Sequence, residues 1–146
     1  MAKMMDEIEA ETIGAMFVRS SNIVHAIEAG CKCAWFTKDR WSLMWEAIEG
    51  FWRNGKVDEL NVVDAIEEAK RLAAREKERR SADALTVGEI ADAAEKSPVV
   101  ISSHLRHLEN DYIERNAKKA IADRRARRAT YARGNVSVSA NLFLST

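Results

Sequence analysis

Histidine, cysteine and a dense basic run are the side chains here whose spacing could do chemistry. His104 and His107 stand three residues apart, with Glu109 and Asp111 close by. On a helix, positions i and i+3 share a face, so the two imidazoles are spaced as a metal pair would be. No acidic or Cys residue is placed beside them to finish a tetrahedral set, and two ordinary helix histidines are the plainer reading. Cys31 and Cys33 are the only cysteines of the chain. A C-x-C pair is too tight for an easy disulfide, and no second pair completes a zinc site. Two reduced thiols near a turn are expected. Lys118, Lys119, Arg124, Arg125, Arg127, Arg128 and Arg133 crowd one short segment. They suit phosphates or an acidic partner. They also suit a solvated helix end, where cations favour the C-terminal dipole. Only Tyr131 is interleaved with them, so stacking on single-stranded bases is not indicated.

Other chemistry is missing. There is no G-x-x-x-x-G-K-[ST] loop, and the six glycines are scattered singly. ATP hydrolysis by that route is therefore not expected. No nucleophile–base–acid motif is evident. The expectation is a binding or assembly module and not an enzyme, with no metal and no cofactor.

The elements that must position these residues read as helices. Of 146 residues, one is Pro and six are Gly, while Ala, Glu, Lys and Arg abound. Ile8, Ile13, Met16 and Phe17, then Ile23, Val24 and Ile27, predict two short helices, with Ser20-Ser21-Asn22 as cap candidates. Gly30 ends the second. Thr37 or Asp39 is placed to cap a third. Trp41, Met44, Trp45, Ile48, Phe51 and Trp52 make one broad apolar face on it. This stripe reads as core, because a ligand box needs converging polar groups. Asn54-Gly55 stops that helix. Asn61 caps the next, whose inner face is Val62, Val63, Ile66 and Ala69. Residues 70–84 are dominated by charge and read as a frayed end and a boundary between units. Thr86-x-x-Glu89 is a capping box, with Leu85 and Ile90 as its staple. Ser97-Pro98 then reads as the N-cap and first-turn Pro of a last helix. That helix carries Ile101, Leu105, Leu108, Tyr112, Ile113, Ala117, Ala120 and Ile121, and it runs to about Arg133, where Gly134 would stop it. About 30 residues at ~1.5 Å each is ~45 Å, longer than a small head can cover. Part of its stripe must meet another helix or another subunit. The tail 134–146 reads as flexible.

No apolar run approaches ~20 residues and no signal-peptide pattern opens the chain. A cytoplasmic protein without a membrane partner is expected. The net charge is zero, but it is unevenly placed. Residues 1–68 hold 13 Asp+Glu and 7 Lys+Arg, whereas residues 114–146 hold 2 and 8. An acidic front and a basic back can meet different partners, or each other in an oligomer.

Several short motifs, in order, resemble the N-terminal domain of the DnaB family of replicative helicases. They are Ile8-Glu9-Ala10-Glu11 with Gly14, then Phe36 and Arg40. Met44-Trp45-Glu46-Ala47-Ile48 follows, then Gly55-Lys56-Val57-Asp58 with Val62-Val63. Ser97-Pro98, Tyr112 and the stretch 115–121 resemble that domain's closing helix. The family's Gly-Gly-x-x-Tyr-Leu segment is missing, and its ATPase domain is absent. The resemblance implies an all-α protein, a small globular helical head (1–69), then a charged linker (70–85) and a helical hairpin with a long C-terminal helix (86–133). It implies self-association into a homo-oligomer and docking of replication partners: primase, loader or helicase. Ile101, Leu105, Leu108, Tyr112 and Ile113 are the expected partner face. Lys118, Lys119, Arg124, Arg125, Arg127 and Arg128 are the expected contacts to an acidic partner or, weakly and without sequence preference, to DNA. Replacing Leu105 and Leu108 by Asp is expected to dissociate the assembly and leave the Trp-rich head folded.

Residues 86–109 carry a second resemblance, to the helix-turn-helix of winged-helix repressors. It rests on Thr86-Val87-x-Glu89-Ile90-Ala91, Ser97, and the run Ile101-Ser102-Ser103-His104-Leu105-Arg106-His107-Leu108-Glu109. It implies a DNA-binding regulator in which Ser102, Ser103 and Arg106 face bases. Glu95 stands where that family has its turn Gly, and no wing follows. The two resemblances differ on one point. A collar places Ile101, Leu105 and Leu108 against a second protein, whereas a repressor packs them inward.

Overall fold

A computed structural model describes residues 4–76 and 80–133, with the last three as backbone only. Its described residues form six α-helices and two short 3-10 turns, with no strand. The fold is all-α and ends in a long helix. The chain divides into two compact units between Tyr112 and Ile113.

Helix α1 (Met5–Val18) is central to the first unit. It buries Ile8, Ile13, Ala15 and Met16, but also Glu9, Glu11 and Thr12. A helix covered on most sides must find partners for such polar groups. Helix α2 (Ser21–Glu28) follows. Its expected caps do not cap: Ser20 makes no side-chain cap bond. Asn22 is buried and donates through Nδ2 to the carbonyls of Ala15 (3.1 Å) and Val99 (3.2 Å). Gly30, at φ +79°, takes the left-handed turn after α2.

The 3-10 turn Cys33–Trp35 delivers Trp35 and Phe36 into the core. Helix α3 (Asp39–Arg53) then buries Trp41, Leu43, Met44, Trp45, Ala47 and Ile48. The aromatic stripe is core at its first three turns, and Trp52 lies at the rim, 36% exposed. Gly55, at φ +68°, ends the helix as its type predicts. A second 3-10 turn (Val57–Glu59) leads to α4 (Val62–Arg75), capped by Asn61, whose Oδ1 accepts from Asp64 N at 2.9 Å.

The segment after α4 departs from expectation. The described residues of 70–85 are no free linker. Helix α4 continues to Arg75, and Ala82 and Leu85 are buried in the common core. Arg80 pairs with Glu76 and with Glu46 of α3, and its Nη1 donates to Ser42 Oγ at 3.0 Å. The charges that looked like a mobile connection fasten it down.

Helix α5 (Val87–Lys96) begins at Thr86, whose Oγ1 accepts from Glu89 N at 3.1 Å. It packs along α1, so it belongs to the head and forms no separate hairpin. The boundary expected near residue 70 lies instead at 112/113. Ile90 of α5 and the apolar start of α6 complete a single core with α1 and α3. Ser97 does not open the last helix. Its hydroxyl donates to Ala94 O at 2.6 Å and closes α5. Helix α6 spans Ser102–Arg133, ending where the sequence predicts. The expected stop at Gly134 and the flexible tail 134–146 lie outside the described residues.

Candidate functional site

The first group of polar residues lies where α1 meets α3 and α5. Asp6 accepts from Arg40 Nη2 (3.0 and 3.2 Å) and from Trp41 Nε1 (3.0 Å). Arg40 Nε donates to Glu89 Oε1 at 3.0 Å, so one guanidinium ties α3 to both α1 and α5. Its charged plane also lies 5.0 Å from the Trp41 ring centroid, a cation–π distance. Glu89 therefore turns to Arg40, and only the Thr86 half of the expected capping box carries a bond.

One turn along α1, Glu9 holds the chain just ahead of α3, where Thr37 or Asp39 was the expected cap. Its carboxylate accepts from Thr37 N (2.8 Å), Thr37 Oγ1 (2.5 Å) and Lys38 N (3.0 Å). Those amides lie just ahead of the first turn of α3, which has no side-chain cap of its own. An anion suits that end of a helix. Burial nonetheless pushes the Glu9 carboxyl above its ordinary range, and the bonds from Thr37 and Lys38 offset part of this. A turn further, Gly14 allows α1 and α5 to touch backbone to backbone. A Cβ there would meet Ala94 N at 2.5 Å. Asp6, Glu9, Gly14, Phe36 and Arg40 are thus joints of the head.

The expected partner face splits. Ile101, Leu105 and Leu108 are at most 4% exposed and lie in this chain's own core, so no second protein can reach them while the head is folded. The reason is that α5 and α6 complete the head. Tyr112 is half-buried, with Lys32 Nζ 5.8 Å from its ring centroid. Ile113 alone of the five is exposed. On the outer side of the same turns Ser102, Ser103, Arg106, His107 and Asn110 face solvent.

The histidine pair does not converge. His104 Nε2 lies 3.1 Å from Glu11 Oε1, a partly buried contact from α6 to α1, while His107 faces outward. Among the described residues no group of three or more His, Cys, Asp and Glu is placed to hold a metal. Cys31 is buried and Cys33 half-buried, both free. Burial pushes both thiols up, which makes them poor nucleophiles. Among the described residues no helix is long and apolar enough to cross a membrane.

In the second unit nearly every residue from Ile113 to Thr130 is exposed. Lys118 pairs with Glu114 at 3.0 Å. Lys119, Arg124, Arg125, Arg127 and Arg128 are exposed, as are Ile113 and Ile121. Sequence reasoning missed the buried carboxylates Glu9 and Glu11 and the Arg80 clasp. A signal existed for the first two: acidic residues interleaved with Ile8, Thr12 and Ile13 on a short helix leave little room for a separate polar face. No family model, no curated protein and no solved structure matches this chain.

Proposed function

We propose that the chain is a noncatalytic helical module of the kind found at the N-terminus of DnaB-like replicative helicases. Its work is self-association and docking of a replication partner, either primase, loader or helicase. One observation supports this most. The residues that carry the resemblance are the joints that hold the head together: Glu9 on the segment that leads into α3, Gly14 against α5, and Arg40 between Asp6 and Glu89. A likeness that falls on fold determinants is worth more than one that falls on surface residues. With Ile101, Leu105 and Leu108 committed to the core, the association face moves along α6. Ile113, Ala117, Ala120 and Ile121 are exposed and fall on one helical face. Sedimentation of the full chain against concentration tests the reading. The expected result is an oligomer that Ile113→Asp with Ile121→Asp dissociates, while the near-UV signal of the tryptophans stays unchanged. A monomer at every concentration, with no binding to purified primase, loader or helicase, would sink the proposal.

The inward packing of Ile101, Leu105 and Leu108 favours a second reading. With Ser102, Ser103 and Arg106 outward, it is the arrangement a recognition helix requires. Against it, α5 runs unbroken through Glu95, and five residues separate it from α6. Selection of binding sites from a random duplex pool discriminates the two. An enriched motif would support the regulator, and its absence would leave the module.

A further inference from the structure

Several charges of the first unit are paired within it. Asp6 and Glu89 meet Arg40, Glu49 meets Arg53, Glu68 meets Arg71, and Glu46 and Glu76 meet Arg80. In the second unit Lys118 meets Glu114, and further cations crowd one exposed stretch. Lys119, Arg124, Arg125, Arg127 and Arg128 are exposed and make no hydrogen bond or ion pair among the described residues. At ~100° per residue these five cations point about 0, 140, 240, 80 and 180° around the axis. They leave no empty sector wider than about 120°, and the one acidic side chain among them, Asp123, points about 40°. An acidic protein surface touches one side of a helix. A duplex groove admits a helix between two walls, each edged by a row of phosphates. Ala117, Ala120, Ala122 and Ala126 lie among the cations and keep the helix slender.

The helix also has a reason to want such a ligand. Arg124 and Arg128 are i, i+4 neighbours, while Arg124–Arg127 and Arg125–Arg128 are i, i+3 pairs. Like charges at these spacings weaken a helix in water. Phosphates on both flanks remove that repulsion.

We infer that residues 119–128 of α6 bind the phosphate backbone of a double-stranded nucleic acid, lying in a groove and reading no sequence. The self-association reading is not needed for this. A chain that fails to oligomerise still shows the salt dependence described next.

The probe is a labelled DNA duplex of about 20 base pairs and random sequence, titrated with the full chain across a salt series. Five phosphates neutralised give a slope of log affinity on log salt near −4.5, so affinity falls about 500-fold from about 50 to about 200 mM salt. Replacing Arg124, Arg125, Arg127 and Arg128 together by Gln keeps helix propensity and removes charge. The slope is then expected to fall to about −1, with at least a hundredfold loss at low salt. The same four replaced by Lys should restore the slope. Arg106→Gln should change nothing, because the head's polar face takes no part. A shallow slope in the parent chain, or a Gln variant that binds as the parent does, would overturn the inference. So would a loss on Arg106→Gln, or polyglutamate that displaces the duplex at equal charge. That last outcome would assign the cations to an acidic protein instead.

Discussion

Gly14→Ala, a change of one methyl group, tests the tightest joint in the head. A Cβ at Gly14 would lie 2.5 Å from Ala94 N, 2.7 Å from the Ala93 carbonyl carbon and 2.8 Å from Ala94 Cα. All three are backbone atoms, so no side chain can rotate away. Restoring an ordinary contact of ~3.5 Å requires α1 and α5 to part by about 1 Å. A gap of that size forfeits roughly a quarter to a half of each dispersion contact across the seam. Ile90 and Ala93, buried on α5, lie along it. Overpacking of this type costs about 2–4 kcal/mol when backbone must yield, and the better helix propensity of Ala returns about 1 kcal/mol. The net expectation is a loss of about 1–3 kcal/mol. Gly50→Ala is the control. It sits inside α3 with nothing within 4 Å of its would-be Cβ. There only propensity acts, and a gain of up to about 1 kcal/mol is expected. The same chemical change should therefore move stability in opposite directions at the two sites. The assay is urea unfolding followed by tryptophan emission at one fixed protein concentration, since association would shift the midpoint. All four tryptophans lie between residues 35 and 52, so the signal reports the head. A Gly14→Ala midpoint at or above the parent's would refute the backbone-to-backbone crossing of α1 and α5.

Three further outcomes are expected. Arg40→Met should cost about 1 kcal/mol, because it removes the cation between two part-exposed carboxylates, Asp6 and Glu89; Arg40→Lys should recover only part, since one ammonium cannot serve both carboxylates through separate nitrogens, and a full recovery would count against the clasp. Burial holds the Glu9 carboxyl above its ordinary 4.5, so the folded chain keeps a proton that the unfolded chain has released. Stability should then fall as pH rises from about 4.5 through the folded value, and this part of the slope should vanish in Glu9→Gln; coincident pH profiles of the two chains would remove the argument. Leu108→Asp should unfold the head and abolish its near-UV dichroism, at a cost above about 3 kcal/mol, because Leu108 is fully buried. That reverses the expectation of a dissociated but folded variant, and an intact head would restore it.

Much of the helical framework was legible in the residues because its signals are local. Asn61 and Thr86 cap the helices they precede, since a side-chain oxygen three residues from an orphan amide needs no tertiary help. Gly30 and Gly55 end helices because a left-handed residue is cheapest as Gly. The inward face of Trp41, Met44, Trp45 and Ile48 follows from a period of 3.6 alone. The caps assigned to Asn22, Thr37 and Ser97 do not form. Asn22 lies inside α2 and Ser97 stands well before α6, and the three side chains donate elsewhere: to the carbonyls of Ala15 and Val99, to Glu9, and to the Ala94 carbonyl respectively. Local propensity proposes a hydrogen bond, and the nearest buried acceptor or donor decides it.

By itself the sequence determined an all-α chain, the ends of several of its helices, the Trp-rich core of α3 and the basic character of the last helix. These depend on periodicity, caps and charge counts, which are properties of neighbours along the chain. Only the tertiary structure decided what the apolar stripe of α6 serves. The spacing of Ile101, Leu105 and Leu108 is the same whether they meet this head or another protein. Gly14 and the buried Glu9, nearly eighty and twenty-eight residues from the groups they meet, bring α5 and the start of α3 onto α1. Once α5 and α6 close over the head, those three side chains are core. Ile113, Ile121 and the cations of 119–128 stay exposed.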